Sequence, residues 1–310
     1  MAETSAPSSG QSEAFRMSGS DMALYGLLVC VWSTSWYPLK LQVGVVAPEV
    51  SLVWRFILAS SLMFLILKVL KKPLWLPLKD HGRLALLGIL MFSTNFVLFY
   101  YASVHLASGL LPVIFSTTSL INLGLGILLL GQRFDRRVAI GAVLGISGIT
   151  CVFWPEITGA TFNKGAFFSL FLALAGTLSF ALGNILSASN QKKGIPVFTA
   201  TAWCMAYGAL WMAIVAVFRG QPFIVEWSAD YIGSLLWLTI TSSVIALLVY
   251  TTLIGRIGAA RTGYATVLFP IFALVISTVL EGFEWHLLSF VGVALVLTGN
   301  VFVLSRRQSG

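Results

Sequence analysis

The sequence predicts an all-α integral membrane protein of ten transmembrane helices, arranged as two inverted five-helix repeats around a central cavity. Three observations carry that expectation: a composition too apolar for a soluble surface, apolar runs of bilayer-spanning length, and basic residues that alternate between the ends of those runs. Of the 310 residues 58% are apolar and 10% charged, whereas a soluble domain carries charge on roughly a quarter of its residues. Too few polar side chains remain to cover a soluble core of this size. Runs such as 84–104 and 232–254 approach the ~20 residues that cross ~30 Å of hydrocarbon.

Residues 1–21 are rich in Ser, Gly and other polar groups and read as a disordered cytoplasmic tail. The first apolar run is long for a signal peptide and leads into Pro38 and Lys40 rather than a small-residue cleavage site, so it reads as a retained helix over 22–40. Charge, Pro and Gly then separate helices at 49–68, 84–104, 108–130 and 137–154, which complete a first repeat over 22–154. A linker at 155–164 precedes helices at 165–188, 196–218, 232–254, 260–280 and 287–305, a second repeat over 165–305 with a short cytoplasmic tail, 306–310.

A formal net charge of +8 raises the question of nucleic acid. Here Lys and Arg fall in short clusters between apolar runs, with no interleaved aromatics, which suits membrane topology and excludes a nucleic-acid surface. One side of the ten-helix arrangement receives Arg16; Lys68, Lys71, Lys72, Lys79 and Arg83; Arg133, Arg136 and Arg137; Lys192 and Lys193; Arg256 and Arg261; and Arg306 and Arg307, fifteen of the nineteen. The other side receives Lys40, Lys164 and Arg219, and Arg55 falls within the second helix. The rule that cytoplasmic loops are basic places both termini in the cytoplasm, with the chain in the plasma membrane, the inner membrane of a bacterium. Cys30, Cys151 and Cys204 lie inside apolar segments and read as packing residues rather than a disulfide framework.

Gly131, Gly141 and Gly148 match Gly282, Gly292 and Gly299 at a constant offset of 151, which also pairs Phe134 with Trp285 and Phe99 with Tyr250. A repeat with an odd number of helices must enter the membrane from the opposite side, hence the inversion. Gly141 and Gly145 would also let neighbouring helices approach closely.

The segment from Ala107 through "LLLGQRF", the glycine ladder after it, "VWSTSWYPLK", "WRF" and "GRIGAAR" together resemble the drug/metabolite transporter superfamily, in its ten-helix EamA-type branch. Within it the chain is similar to the aromatic amino-acid exporters of the YddG type. The resemblance implies two inverted bundles around a cavity, export of aromatic and other neutral amino acids, and alternating access. Gln132 stands where the superfamily commonly carries an acid.

All eleven Asp and Glu fall in the tail, in loops or at helix ends. Exporters of organic cations commonly exchange a proton for the cation at a membrane carboxylate. Without one, a zwitterionic or neutral solute suits the cavity better, and a facilitator without proton coupling suits the mechanism. Arg55 either snorkels toward the outer interface or pairs with Glu49, with a substrate role as the second reading.

The spans do hold amides, hydroxyls and rings. Trp32 and Trp36 share one face of the first helix, Phe180 and Asn184 one face of the sixth, and Asn95 and Phe99 one face of the third. Ser116, Thr117, Thr118 and Ser119 form a polar run in the fourth, and Thr266 precedes Pro270 in the ninth. The resemblance implies cavity-lining positions at Trp32, Asn95, Ser116, Thr118, Phe180 and Thr266. The set suits an amino acid bound by its polar head; the alternative is that the hydroxyls bond their own helices and the amides tie helices together.

No enzyme constellation is visible: His81, His105 and His286 stand far apart, with no H-E-x-x-H spacing, and there is no phosphate loop. No metal or cofactor is expected. The expected partners are a small-molecule solute and the lipid bilayer, and the chain is expected to be a monomer. A multidrug or nucleotide-sugar carrier of the same fold and a non-transporting membrane protein stay open as alternatives.

Overall fold

Hydrocarbon offers no partner to a backbone N–H or C=O, so an apolar chain must satisfy these groups within each segment, as a helix does. The computed structural model describes residues 18–130, 136–158, 163–257, 262 and 264–304, and no strand occurs among them. Helix α1 spans Gly19–Thr34 and resumes as Trp36–Leu41 after a break at Ser35; α2 is Pro48–Val69 and α3 Leu78–Ala102. Helix α4 comprises Leu110–Ser116 and Thr118–Leu130, α5 is Arg136–Thr158, α6 Lys164–Lys192 and α7 Val197–Phe218. Helix α8 runs through Ala229–Leu236, Trp237–Ile245 and Ala246–Ile257, α9 is Ala265–Glu281 and α10 Leu287–Leu304. Seven of these, α2 to α8, are long and apolar enough to cross a membrane, and Ala265–Glu281 and Leu287–Phe302 are shorter apolar helices.

Local chemistry sets the ends. Ser18, Asn163 and Ser228 cap α1, α6 and α8 by accepting from the amides of Asp21, Ala166 and Tyr231 at 3.1, 3.0 and 3.2 Å. Pro48 opens α2, where its missing N–H has no partner to lose. Helix α3 starts at Leu78 rather than 84, because its first turn follows Pro77 and carries Asp80 at the favourable end of the dipole. Helix α5 continues to Thr158, into the expected linker, because Pro155 falls near its end and removes a single bond. Helix α9 is described from Ala265, and its expected start at 260 lies outside the described residues. Gly282 ends α9 in the left-handed region at φ 67°, so this member of the glycine match is a cap rather than a contact. Gly131, Gln132, Phe134, the tail through residue 17, linker residues 159–162, the stretch 258–261 and the C-terminal tail lie outside the described residues.

The distribution of side chains is that of a protein in lipid. Large apolar groups such as Phe171, Val217 and Val279 are exposed on the outer surface, while Arg55, Asn95, Ser116, Thr177 and Asn300 are buried.

Helix α1 packs on α8 and α9 as α6 packs on α3 and α4, and α2 packs on α7 and α8 as α7 packs on α2 and α3. Exchanging each helix for the one five places away leaves this set of neighbours unchanged. The same correspondence holds locally. Residues 90–94 of α3 and 237–245 of α8 are both π-helical, and in each a serine donates to the carbonyl five residues back: Ser93 to Gly88 at 3.0 Å, Ser243 to Leu238 at 2.8 Å.

Helices α5 and α10 meet backbone to backbone. A Cβ on Gly148 would come within 2.7 Å of the Gly292 carbonyl oxygen, one on Gly292 within 2.5 Å of that of Gly148, and one on Gly299 within 2.9 Å of that of Gly141. Gly148→Ala or Gly292→Ala is therefore expected to lower stability by about 1–3 kcal/mol through overpacking. Gly26→Ala, where nothing stands within 4 Å, should change little. The thermal midpoint of the purified protein in detergent checks both.

Candidate functional site

Six helices bring rings together at the centre of the bundle. Trp36 of α1 meets Phe99 of α3 at 5.3 Å between centroids, Phe115 of α4 at 5.8 Å and Phe269 of α9 at 6.4 Å. Phe115 meets Phe180 of α6 at 4.8 Å. Trp32, one turn from Trp36, packs on Tyr250 of α8 at 5.4 Å and on Phe269 at 6.0 Å. Phe99 and Phe269 are buried, whereas Trp32, Trp36, Phe115, Phe180 and Tyr250 keep part of their surface accessible, so these five form the wall that a solute would touch. Edge-to-face and offset contacts of this kind hold the rings in place while leaving π-faces for a ligand.

The backbone is irregular where the wall is built. Helix α1 breaks at Ser35 between the two tryptophans, α4 breaks at Thr117 just after Phe115, and the π stretch of α3 ends at Asn95, one turn before Phe99. Non-helical or widened backbone inside a membrane protein is tolerated where it faces a cavity or is buried in protein, and π segments cluster at functional positions.

Among the expected polar residues, Asn95 is 2% exposed; its Nδ2 donates to the Met91 carbonyl at 3.3 Å and its buried Oδ1 has no partner. Thr118 donates to the Phe115 carbonyl at 2.5 Å and Ser116 to that of Val113 at 2.7 Å. Ser116 also accepts from Asn300 Nδ2 of α10 at 3.0 Å, and Ser119 donates to Asn300 Oδ1. The hydroxyl protons of this run are thus engaged within the protein, and a solute would find acceptor lone pairs there rather than free donors. Asn184 and Thr266 are half-buried on α6 and α9, close in sequence to Phe180 and Phe269.

Phe115, Tyr250, Phe269 and Asn300 complete the site and were not among the expected residues. Tyr250 had a visible signal in its repeat match to Phe99, and Phe115 in its position directly before the polar run. Nothing in the spacing singles out Phe269 or Asn300.

Arg55 departs from expectation. It neither snorkels nor pairs with Glu49: it is 2% exposed, and its Nε and Nη2 donate to Ser243 Oγ of α8 at 3.2 and 3.1 Å. Its guanidinium lies over the rings of Phe96, at 4.5 Å, and Phe56, at 5.2 Å. Glu49 is taken instead by Arg219, just past the end of α7, and accepts from the Tyr101 hydroxyl at 2.8 Å. A second ion pair joins Lys40 to Glu281 at 2.8 Å, at the ends of α1 and α9. At the opposite end of the bundle Arg256 of α8 pairs with Asp21 of α1 at 3.3 Å.

An apolar exterior around irregular helices, with a partly accessible wall of rings inside, is the arrangement of a polytopic membrane protein. The chain belongs to the EamA-like transporter family, whose model matches residues 21–154 and again 167–305. It is 22% identical to the uncharacterized transporter YoaV of Bacillus subtilis over 90% of this chain and 95% of that one. It is 24% identical to the "Probable amino-acid metabolite efflux pump" of Salmonella typhimurium, over 94% and 98% of the two chains. Protein PecM of Dickeya dadantii is also 24% identical, over 93% and 94%. A solved crystal structure aligns with a TM-score of 0.64 over 94% of this chain and 99% of its own at 15% identity, a likeness of fold.

Replacing Trp36 by Ala is expected to reduce transport about tenfold, the effect of losing ring contacts worth ~1.5 kcal/mol. Replacing Asn95 and Thr118 together should impair transport without reducing insertion into membranes. Flux normalised to protein in the membrane fraction measures both, and unchanged flux in the double variant would remove these residues from the site.

Proposed function

We propose that this protein exports amino acids, aromatic and other neutral ones, across the plasma membrane by alternating access, as a facilitator without proton coupling. In this reading all ten helices span the bilayer as a monomer, in two inverted repeats with both termini cytoplasmic. Support for the repeat comes from the family model matching each half and from the exchange symmetry of the helix neighbours. Support for the orientation comes from the ion pairs: Lys40 with Glu281 and Arg219 with Glu49 fall at one end of the bundle, Arg256 with Asp21 at the basic one.

The observation that carries the solute class is the wall itself: tryptophan, phenylalanine and tyrosine faces, amide and hydroxyl oxygens nearby, and no carboxylate among the described residues there. The described acidic residues stand within a turn or two of helix ends or in loops, where they cannot exchange a proton for a cation at the rings. Rings accept side chains of varied shape, and amide and hydroxyl oxygens accept from an ammonium group. The efflux-pump relative, similar along nearly its whole length, agrees with the amino-acid reading.

Reconstituted in liposomes, the protein is expected to catalyse flux of labelled phenylalanine that unlabelled aromatic and small neutral amino acids inhibit, with a rate unchanged by an imposed pH gradient. Flux driven by the pH gradient would remove the facilitator mechanism. Absence of amino-acid flux would move the solute to another metabolite class.

A further inference from the structure

Arg55 carries a full positive charge inside the bundle, and among the described residues no carboxylate lies within ion-pair distance of it. Its hydrogen-bond acceptor is the neutral hydroxyl of Ser243 and two ring faces cover it, while the Tyr100 hydroxyl donates to Gln42 Oε1 at 3.1 Å. Its third nitrogen, Nη1, is buried and has no hydrogen-bond partner at all. A guanidinium has five N–H groups in a planar fork suited to a carboxylate, and one left without a counter-charge in a protein interior is unfavourably desolvated. Neutral packing would not require an arginine here. An anion that visits the site would.

The link to the ring wall runs through Phe96. Phe96, which Arg55 covers, stands one turn from Phe99 and Tyr100 on α3, and it packs against the same apolar cluster as Trp36 and Phe115. Ser243, which holds the other two nitrogens, sits in the π-helical stretch of α8, a backbone form that recurs at functional positions. We propose that Arg55 is the receptor for the carboxylate of the transported solute, with Nη1 as the free donor and the rings taking the apolar part. The solute class is then an α-amino or other short organic acid bearing an apolar group. This assignment rests on the solute reading above, and it narrows that reading by requiring an acid.

The test compares 3-phenylpropionate with 3-phenylpropionamide, which differ in the carboxylate alone, as ligands that raise the melting midpoint of the full chain in detergent. In the wild type the acid is expected to bind about tenfold more tightly than the amide, the worth of a charge-assisted hydrogen bond. In R55M the two should bind alike, with affinity for the amide unchanged. R55K, which keeps the charge without the fork, should lose roughly threefold or more of the preference, and it decides the question should R55M not fold. A preference for the acid that survives in the folded variants, no preference in the wild type, or equal stabilisation by chloride at matched concentration overturns the assignment. An Arg55-dependent acid preference without phenylalanine flux in liposomes leaves Arg55 standing and removes the amino-acid reading. Phenylalanine flux without any acid preference does the reverse.

Discussion

Water is absent from the medium in which this chain folds, and most of its structure follows from that. Backbone groups must bond within their own helices, so long apolar runs become helices and their ends are set by Ser18, Asn163 and Ser228 or by proline and Gly282. The same medium removes the drive that buries apolar groups, so helices associate through close packing and internal hydrogen bonds. The glycine contacts of α5 with α10 and the Asn300 bridge from α10 to α4 are instances of each. Polar groups gather inside because the exterior cannot solvate them.

Helix positions were legible in the sequence because charged clusters interrupt nearly every apolar run. The boundaries that shifted, at the start of α3 and the end of α5, lie in polar or proline-containing turns that hydropathy alone does not register as helix. Of the glycine matches, Gly141, Gly148, Gly292 and Gly299 do form a close helix contact, while Gly282 serves as a terminator. Spacing on one helix showed that Trp32 and Trp36 share a face, but it could not say which rings on other helices would meet them; among 22 phenylalanines, Phe269 had no distinguishing mark. Arg55 was misplaced for a related reason. Its distance from the helix end is readable, but the closure of its surroundings by Ser243 and Phe96, on α8 and α3, is a tertiary fact.

The candidate site offers two different kinds of surface to a solute. Ring faces discriminate weakly among apolar shapes, because dispersion contacts are individually small and tolerant of geometry. Polar groups discriminate sharply, because a buried donor or acceptor left unmatched is penalised. Asn95 Oδ1 and Arg55 Nη1, both buried and unmatched, are the points in this region at which a solute would be tested for its polar head rather than its side chain.

The α5–α10 seam has a mechanical consequence. Backbones in contact at Gly148 and Gly292 leave no side-chain layer to act as a lubricant, and Val152 and Val296 stand directly in the path of any slide along the seam. These two helices cannot shear past one another by even a fraction of a turn without collision. They form a keel, and the backbone irregularities that could yield instead lie elsewhere, in the broken α1 and α4 and the widened turns of α3 and α8.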